Sequence, residues 1–289
     1  MRQDALRKTI QSKQIAEKLN RLNAKRQEIV RPIFEHPRSF VLSSVRAMAK
    51  RLGTDPATVV RIVRGLGFPG FREFQHYLHD LSLAYATSAD TMQKATHATG
   101  VPGFASDSLE QDLKNVQALK NTLDVKRLSA LAKRFYAAPR VVIIAGDLAA
   151  ILADYLEYHL VLLGLNVFSA TSGGRVVHLT RSLTKQDLVV AISFRRGLKQ
   201  TVEGADLARS RGAHCVAITD TYLSPLTRIC HETFLAGIES NSFGASYTAP
   251  LALLNALLAA IGQHRQKHTL AIVKEISEEQ RRGSRWHHD

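Results

Sequence analysis

Length, composition and charge set the first limits on what this chain can be. It has 289 residues, of which 45% are hydrophobic and 22% are charged. This length favours two domains, and this balance excludes the disordered and fibrous classes. The net charge of +14 predicts a polyanionic partner. Residues 1–80 hold 16 basic and 7 acidic side chains, so the excess is concentrated near the N-terminus.

Cysteine use and hydropathy predict a soluble cytoplasmic protein without a membrane partner. Cys215 and Cys230 are too few for a disulfide framework, which favours reduced, buried thiols. The stretch from Met1 to Lys13 lacks the apolar core of a signal peptide. The longest apolar tract, Pro250 to Ile261, is too short to span a bilayer.

Apolar residues recur at helical spacing through the first 81 residues, which predicts an all-helical N-terminal domain over 1–81. Pro32 lies inside the second candidate helix and is expected to kink or end it. The predicted helices run from Ala5 to Leu19, Asn23 to Phe34, Ser44 to Leu52, Pro56 to Leu66 and Gly70 to Leu81. Ala, Thr, Ser and Gly dominate afterwards, so we expect a linker over residues 82–108, with a turn at Pro102-Gly103.

Helical and strand-like segments alternate after Leu109, which predicts a parallel sheet with helices on both faces. The expected class is α plus α/β, with a three-layer, flavodoxin-like C-terminal domain over 109–268. Two helices, Leu109 to Leu123 and Val125 to Ala137, lead into it. The predicted strands are Arg140 to Ala145, Asn166 to Ala170, Asp187 to Ile192, Ala213 to Ile218 and Thr233 to Ala236.

The end of the chain predicts one long helix and a polar tail. Ser246 or Thr248 can cap a closing helix that runs to about Gln263. Residues 269–289 are assigned to a polar tail, which either extends this helix or is disordered.

The segment from Ser44 to Gly67 carries the clearest functional pattern. A short amphipathic helix ends at Gly53, a residue type that accepts the left-handed backbone of a tight helix exit. Asp55 can cap the next helix, with Pro56 at its first position. Two helices joined by so short a turn cross steeply, and the second can enter a major groove with its N-terminal end.

The outer face of that second helix predicts contacts to double-stranded DNA. Small residues at its start permit close approach to base edges, and an arginine one turn later can reach guanine or phosphate. Basic side chains around it suit phosphate contacts. The candidate DNA-binding residues are Arg46, Lys50, Ala57, Thr58, Arg61 and Arg64, and Arg51 also suits a phosphate contact. The alternative is an ordinary helical bundle whose basic face is simply solvated.

These residues resemble a known family. Thr54 to Leu66, followed by Gly67-Phe68-Pro69-Gly70-Phe71-Arg72-Glu73-Phe74, is similar to the helix-turn-helix signature of RpiR-type (MurR/RpiR) bacterial transcriptional regulators. About Val141 to Ile261 resembles the SIS (sugar isomerase) domain of these regulators. The resemblance implies a repressor or activator that responds to a phosphosugar or sugar derivative, with no cofactor. We also expect a homodimer or homotetramer, because two-fold operators are read by two-fold proteins.

Two loops depart from the usual SIS pattern. A Gly-x-Gly-x-Ser turn commonly follows the first strand, whereas this chain has Ala145-Gly146-Asp147-Leu148-Ala149, whose acid would repel a phosphate. The loop from Ser193 to Thr201 is more similar to a branch with a Ser-Phe-x-Arg-Tyr-Ser-x-Glu-Thr loop. Ligands bind at such strand ends, so the candidate effector-binding residues are Ser172, Gly173, Ser193, Arg195, Arg196 and Thr201. A loop that only shapes the fold is the open alternative.

No pattern predicts a catalytic or metal site. Asp220 follows the fourth strand, and a turn or capping role is expected for it. The twelve histidines show no clear metal-ligand spacing. Two rivals to a ligand-sensing regulator remain: a sugar-phosphate isomerase with a basic helical extension, and a regulator whose SIS domain no longer senses a ligand.

Overall fold

A computed structural model describes residues 13–84, 100–195 and 197–283. The N-terminal part is helical, as predicted. Its helices are α1 over residues 13–21, α2 Ala24–Glu35, α3 Val45–Arg51, α4 Pro56–Gly65 and α5 Phe71–Ala84. Residues 5–12 of the first predicted helix lie outside the described residues. Helix α2 continues through Pro32 for three residues and then ends, which agrees with the expected effect of this proline.

One apolar cluster holds the N-terminal helices together. Val30 and Ile33 of α2, Met48 of α3, Ile62 of α4 and Phe74 of α5 are all buried in it. Each helix contributes one apolar stripe at helical spacing, so the bundle buries all five stripes in one core and leaves the charged faces outside.

The C-terminal part alternates helix and strand. Its strands are β1 Val141–Ile144, β2 Val167–Ala170, β3 Leu188–Ile192, β4 His214–Thr219 and β5 Glu232–Leu235. Its helices are α6 Gly100–Thr122, α7 Val125–Ala137, α8 Ala150–Leu162, α9 Gly173–Arg181, α10 Lys199–Ser210, α11 Leu226–Ile229, α12 Thr248–His264 and α13 Gln266–Arg282.

The five strands form one parallel sheet in the order β2-β1-β3-β4-β5. Val141 of β1 lies opposite Val167 on one side and Leu188 on the other. Alternate side chains enter two separate cores, one under α7, α8 and α12 and the other under α9 and α10. This arrangement confirms the predicted three-layer, flavodoxin-like domain.

A partly buried ion pair lies at the amino end of the central strand β3. The Arg140 guanidinium donates to both carboxylate oxygens of Asp187, at 3.3 and 2.9 Å. Thr184 adds hydrogen bonds to the same carboxylate from its N–H and its hydroxyl. Despite the cost of burial, these bonds lower the pKa of Asp187. The arginine that precedes β1 is thereby tied to the start of β3.

The structure differs from the sequence-based expectation at two helix boundaries. Helix α6 begins at Gly100 and includes Pro102, so the prediction of a turn at Pro102-Gly103 was wrong. Proline lacks a backbone N–H, and it is tolerated there because N–H groups in the first turn of a helix have no hydrogen-bond partner within the helix. Helix α5 likewise extends to Ala84, inside the segment predicted as a linker, and residues 85–99 of that segment lie outside the described residues.

The polar tail contains helix α13, which resolves the alternative left open by the sequence. A break at Arg265 separates it from α12. No described residue of α13 is buried, so the helix contributes nothing to either sheet core. Residues 284–289 lie outside the described residues. Within the part of the chain that the structure describes, no helix has the length and apolar character needed to cross a membrane.

Candidate nucleic-acid interface and ligand crevice

A four-residue turn, residues 52–55, joins α3 to α4 and fixes their crossing. The Ser44 hydroxyl accepts a hydrogen bond from the N–H of Ala47 at 3.2 Å, which starts α3. Gly53 follows α3 with a left-handed φ of +62°. The Asp55 carboxylate then accepts from the N–H of Thr58 at 2.8 Å, which caps α4. The expected glycine exit, aspartate cap and proline at the first helical position are all present.

Helix α4 is divided sharply into a buried face and an exposed face. Val59, Ile62 and Val63 are buried against α2, α3 and α5. Ala57 and Arg61 are exposed on the opposite side. The structure therefore presents to solvent the face that the sequence predicted for base contacts.

The candidate DNA-binding residues all lie on helices α3 and α4. All are exposed except Thr58, which is half-buried: Arg46, Lys50, Ala57, Thr58, Arg61 and Arg64. Arg51 is engaged elsewhere, because it donates to the backbone oxygen of Ser39 and lies over the Phe40 ring, 6.0 Å from its centroid. Arg51 thus has a structural contact in this structure, and its phosphate contact stays a prediction.

A chain of hydrogen bonds along the outer face of α4 was missed by the sequence reasoning. The Thr58 hydroxyl donates to the Asp55 carboxylate at 2.5 Å and accepts from the Arg61 guanidinium at 3.0 Å. The two hydrogen bonds from Thr58 lower the pKa of Asp55. The spacing of 55, 58 and 61 was the available signal, since residues three apart are neighbours on a helix. These hydrogen bonds hold the Arg61 guanidinium near the start of α4.

The second candidate site is a crevice at the carboxyl ends of the strands. The chain leaves β1 toward β2 on one side and later returns to β3 on the other, so the loops after β1 and β3 diverge at this point. Ligands of open parallel sheets bind at such divergence points. We call the space between residues 145–149, 171–173 and 193–201 the crevice.

Five of the six predicted effector-binding residues are described, and they lie around this crevice. Ser172 and Gly173 are exposed where α9 begins, and Ser193 is buried at the end of β3. Thr201 is fully buried in the first turn of α10, and its hydroxyl has no hydrogen-bond partner among the described residues. Arg195 has a left-handed φ of +59°. Arg196 lies outside the described residues.

Side chains of the 193–201 loop cover the turn that follows β1. The Gln200 amide donates to the backbone oxygen of Thr171 at 3.2 Å. A methyl group added at Gly146 would lie 2.4 Å from the Gln200 amide nitrogen and 2.5 Å from a methyl of Leu198. The Ser193 hydroxyl accepts from the N–H of Leu198 at 2.8 Å. The loop thus closes over Gly146 with its own groups.

Asp220 has a larger role at the crevice than the predicted turn or cap. Its half-buried carboxylate accepts from the N–H of Arg195 at 2.8 Å and from the Thr219 hydroxyl at 3.3 Å. Burial, with a further contribution from the charge of Glu239, raises the pKa of Asp220 to about 6. Its position after β4 was the available signal, because the carboxyl ends of parallel strands share one edge.

Tyr247, which directly precedes α12, lies near Asp147 and Asp220. Its ring contacts the Phe194 ring, with centroids 5.1 Å apart. Burial raises the pKa of Tyr247 to about 12, and the charges of Asp147 and Asp220 add to this shift. Asp147, Asp220 and Arg195 therefore lie close enough to Tyr247 for their charges to act on it beside the crevice.

Two family models match the chain in the same order as its domains. The model of the rpiR-family helix-turn-helix domain matches residues 10–104, and the SIS domain model matches residues 134–260. This chain carries an rpiR-family helix-turn-helix domain followed by a SIS domain. The helix pair α3–α4 lies in the helix-turn-helix domain, and the crevice lies in the SIS domain.

Individual relatives agree with this assignment. An uncharacterized HTH-type transcriptional regulator from Haemophilus influenzae is 25% identical over 252 residues, which cover 84% of this chain and 86% of the relative. The sugar isomerase domain of an RpiR transcription factor from Sphaerobacter thermophilus is 25% identical with a TM-score of 0.57, covering 60% of this chain and 98% of that one. The Vibrio vulnificus NanR protein, complexed with ManNAc-6P, shares the fold at 20% identity and a TM-score of 0.59, over 93% of this chain and 99% of that one.

Gly53→Ala is expected to destabilise the N-terminal domain by about 1 kcal/mol, because alanine at a left-handed φ is strained. The added methyl would meet no atom within 4 Å, so backbone strain is the only cost. Gly53→Asn should cost less, since asparagine tolerates this conformation. Urea unfolding followed by circular dichroism measures both. Equal stability of the alanine variant and the wild type would contradict the role assigned to this turn.

Proposed function

We propose that this protein reads double-stranded DNA through α4 in the bacterial cytoplasm and regulates transcription in response to a carbohydrate-derived effector. The observation that carries the DNA-binding part is the division of α4. Its apolar side is locked into the N-terminal core, while Ala57, Thr58 and Arg61 face outward at its N-terminal end. A helix presented in this way fits the major groove.

Two kinds of contact are expected from the exposed side chains. Arg61 lies at the groove-facing end of α4 and can donate two parallel hydrogen bonds to a guanine edge. Arg46 and Lys50 lie on α3, which crosses the DNA backbone in this docking geometry. Their charges suit phosphates, which add affinity without sequence information.

Arg61→Ala should weaken binding to the operator by about 1–3 kcal/mol and relax sequence choice. Lys50→Ala should weaken binding to all duplexes and reduce the salt slope by about one unit. The operator is the genomic fragment that the wild-type protein enriches, and gel-shift titration at several salt concentrations gives both quantities. Arg211→Ala, an exposed arginine of the other domain, is the control. Equal losses on operator and random DNA for both variants would refute the assignment.

A two-fold operator requires two reading helices about 34 Å apart, so we propose a dimer or a dimer of dimers. Helix α8 supports this proposal. Its outward face bears Ile151 at 64% exposure, Tyr158 at 64% and Val161 at 52%. Large apolar side chains clustered on one exposed face mark protein–protein contact surfaces.

Val161→Arg should convert the dimer to monomer and lower operator affinity, because it places a charge in the proposed interface. Sedimentation velocity at micromolar protein measures the change. Val125→Arg introduces the same side chain at an apolar residue that is 69% exposed on α7, and it should leave the dimer intact. A wild-type monomer, or an unaltered dimer in the Val161 variant, would remove α8 from the interface.

The effector part of the proposal is a small anionic carbohydrate derivative bound in the crevice by Ser172, Gly173, Ser193, Arg195 and Thr201. The buried, unpartnered hydroxyl of Thr201 supports a polar ligand there, since such groups are normally satisfied. Arg195 carries a positive charge that can attract an anion and offset the repulsion expected from Asp147. Binding requires Leu198 and Gln200 to move away from Gly146, which now lies beneath them.

We propose that the crevice binds this effector without converting it. The test is calorimetry and thermal shift with ManNAc-6P, other sugar phosphates and their unphosphorylated sugars. Thr201→Val should reduce affinity for the ligand that binds by about tenfold, because it removes one hydrogen bond to a buried group. Thr201→Ser keeps the hydroxyl and should retain affinity. Turnover of any sugar phosphate, abolished by Thr201→Val, would favour the isomerase alternative, and no binding at millimolar ligand would favour a domain that no longer senses one.

A further inference from the structure

The loop after β4 reaches both the crevice and the N-terminal domain. At its start, Asp220 accepts the hydrogen bond from the N–H of Arg195 in the 193–201 loop. Three residues later, Leu223 packs against the buried apolar cluster of the N-terminal helices. We call residues 220–228 the coupling turn. Within it, only Thr221 and Tyr222 separate the residue bonded to the crevice loop from the residue that packs on the N-terminal core.

The coupling turn is stiffened by its own hydrogen bonds. The Thr221 hydroxyl accepts from the N–H of Leu223 at 3.2 Å. The Thr227 hydroxyl lies 2.8 Å from the backbone oxygen of Tyr222 and 2.8 Å from that of Ser224. A turn tied in this way moves as one unit, so a displacement at Asp220 is carried to Leu223.

Gly197 of the 193–201 loop lies close to the coupling turn. A methyl group added at Gly197 would lie 3.6 Å from the Pro225 ring. The loop that closes the crevice is therefore bonded to the turn through Arg195 and lies next to it at Gly197. Opening the crevice must move this loop, since its Gln200 and Leu198 side chains cover Gly146.

On its other side, the coupling turn faces helix α2. Arg228 is half-buried near Arg31 and Glu35 of α2. Burial and the charge of Arg31 lower the pKa of Arg228, while Glu35 opposes this shift. Helix α2 shares its buried side, through Val30 and Ile33, with the buried face of α4.

We propose that the coupling turn transmits the state of the crevice to the DNA-reading helices through Leu223. In the closed state, the 193–201 loop covers Gly146 and Leu223 rests on the N-terminal core. In the open state, a filled crevice displaces the loop, the turn follows, and α2 loses this support. The inference rests on the proposed function, because it assigns the route by which an effector changes DNA affinity. Coupling of this kind requires one element with two arrangements that both sites bias.

Gly146→Ala opens the crevice without any ligand. Its backbone φ of −171° is extended, so alanine adds no backbone strain. The new methyl collides only with the flexible ends of Gln200 and Leu198, which must move. Gly174→Ala is the matched control, because a methyl there meets nothing within 4 Å.

The experiment compares the full-length wild type, Gly146→Ala, Leu223→Ala and the double variant. Two quantities are measured: the Kd for the operator and the hydrogen exchange of peptides from residues 24–35. Gly146→Ala should change the Kd at least about fivefold, the lower end of typical coupling, and should speed exchange in α2. In the Leu223→Ala background the same substitution should change the Kd less than about twofold and add nothing to exchange. Gly174→Ala and Leu270→Ala, an exposed leucine on α13, should match the wild type.

Equal effects of Gly146→Ala with and without Leu223, or no effect on α2 exchange, would overturn the proposal. If none of the proteins binds duplex DNA, the proposed function fails, and hydrogen exchange still decides the coupling. Should Leu223→Ala not fold, as judged by circular dichroism, Pro225→Ala cuts the same route where the turn meets Gly197. It should likewise reduce the effect of Gly146→Ala.

Discussion

The turn between α3 and α4 is the constraint on which the DNA-reading surface depends. Gly53 permits the left-handed backbone that ends α3, and the Asp55 carboxylate accepts a hydrogen bond from the N–H of Thr58, three residues after it. With both in place, the apolar stripe of α4 can enter the core only in one orientation. The exposed position of Arg61 is a consequence of this packing rather than a separate choice.

The crevice is governed by the opposite situation, in which the loops satisfy one another. Ser193, Gln200 and Asp220 all hold backbone groups of neighbouring loop residues. Buried polar groups are costly unless they are paired, so these bonds stabilise the closed arrangement. In the proposed function, a bound effector replaces these bonds, which gives the crevice a second arrangement with different contacts. The effector then acts by preferring one of the two arrangements.

Helices and strands were largely predictable because each was marked by its own residues. The strands β1, β3 and β4 are short apolar runs buried on both faces, and the helix pair α3–α4 has explicit caps. The start of α6 at Gly100 was not predictable in this way, because Pro102 and Gly103 favour a turn locally and are tolerated only within the first turn of a helix. The hydrogen-bond chain from Asp55 to Arg61 required the positions of side chains, although its spacing was visible.

The sequence by itself determined the two domains, their order, the outward face of α4 and the loops that flank the crevice, because periodicity, caps and strand ends are local properties. Only the tertiary structure placed Asp220 under Arg195, laid Gln200 and Leu198 over Gly146 and brought Leu223 onto the N-terminal core. Each of these contacts joins residues far apart in the chain. These contacts depend on how the sheet edge and the helical bundle pack, and no local sequence pattern predicts that packing.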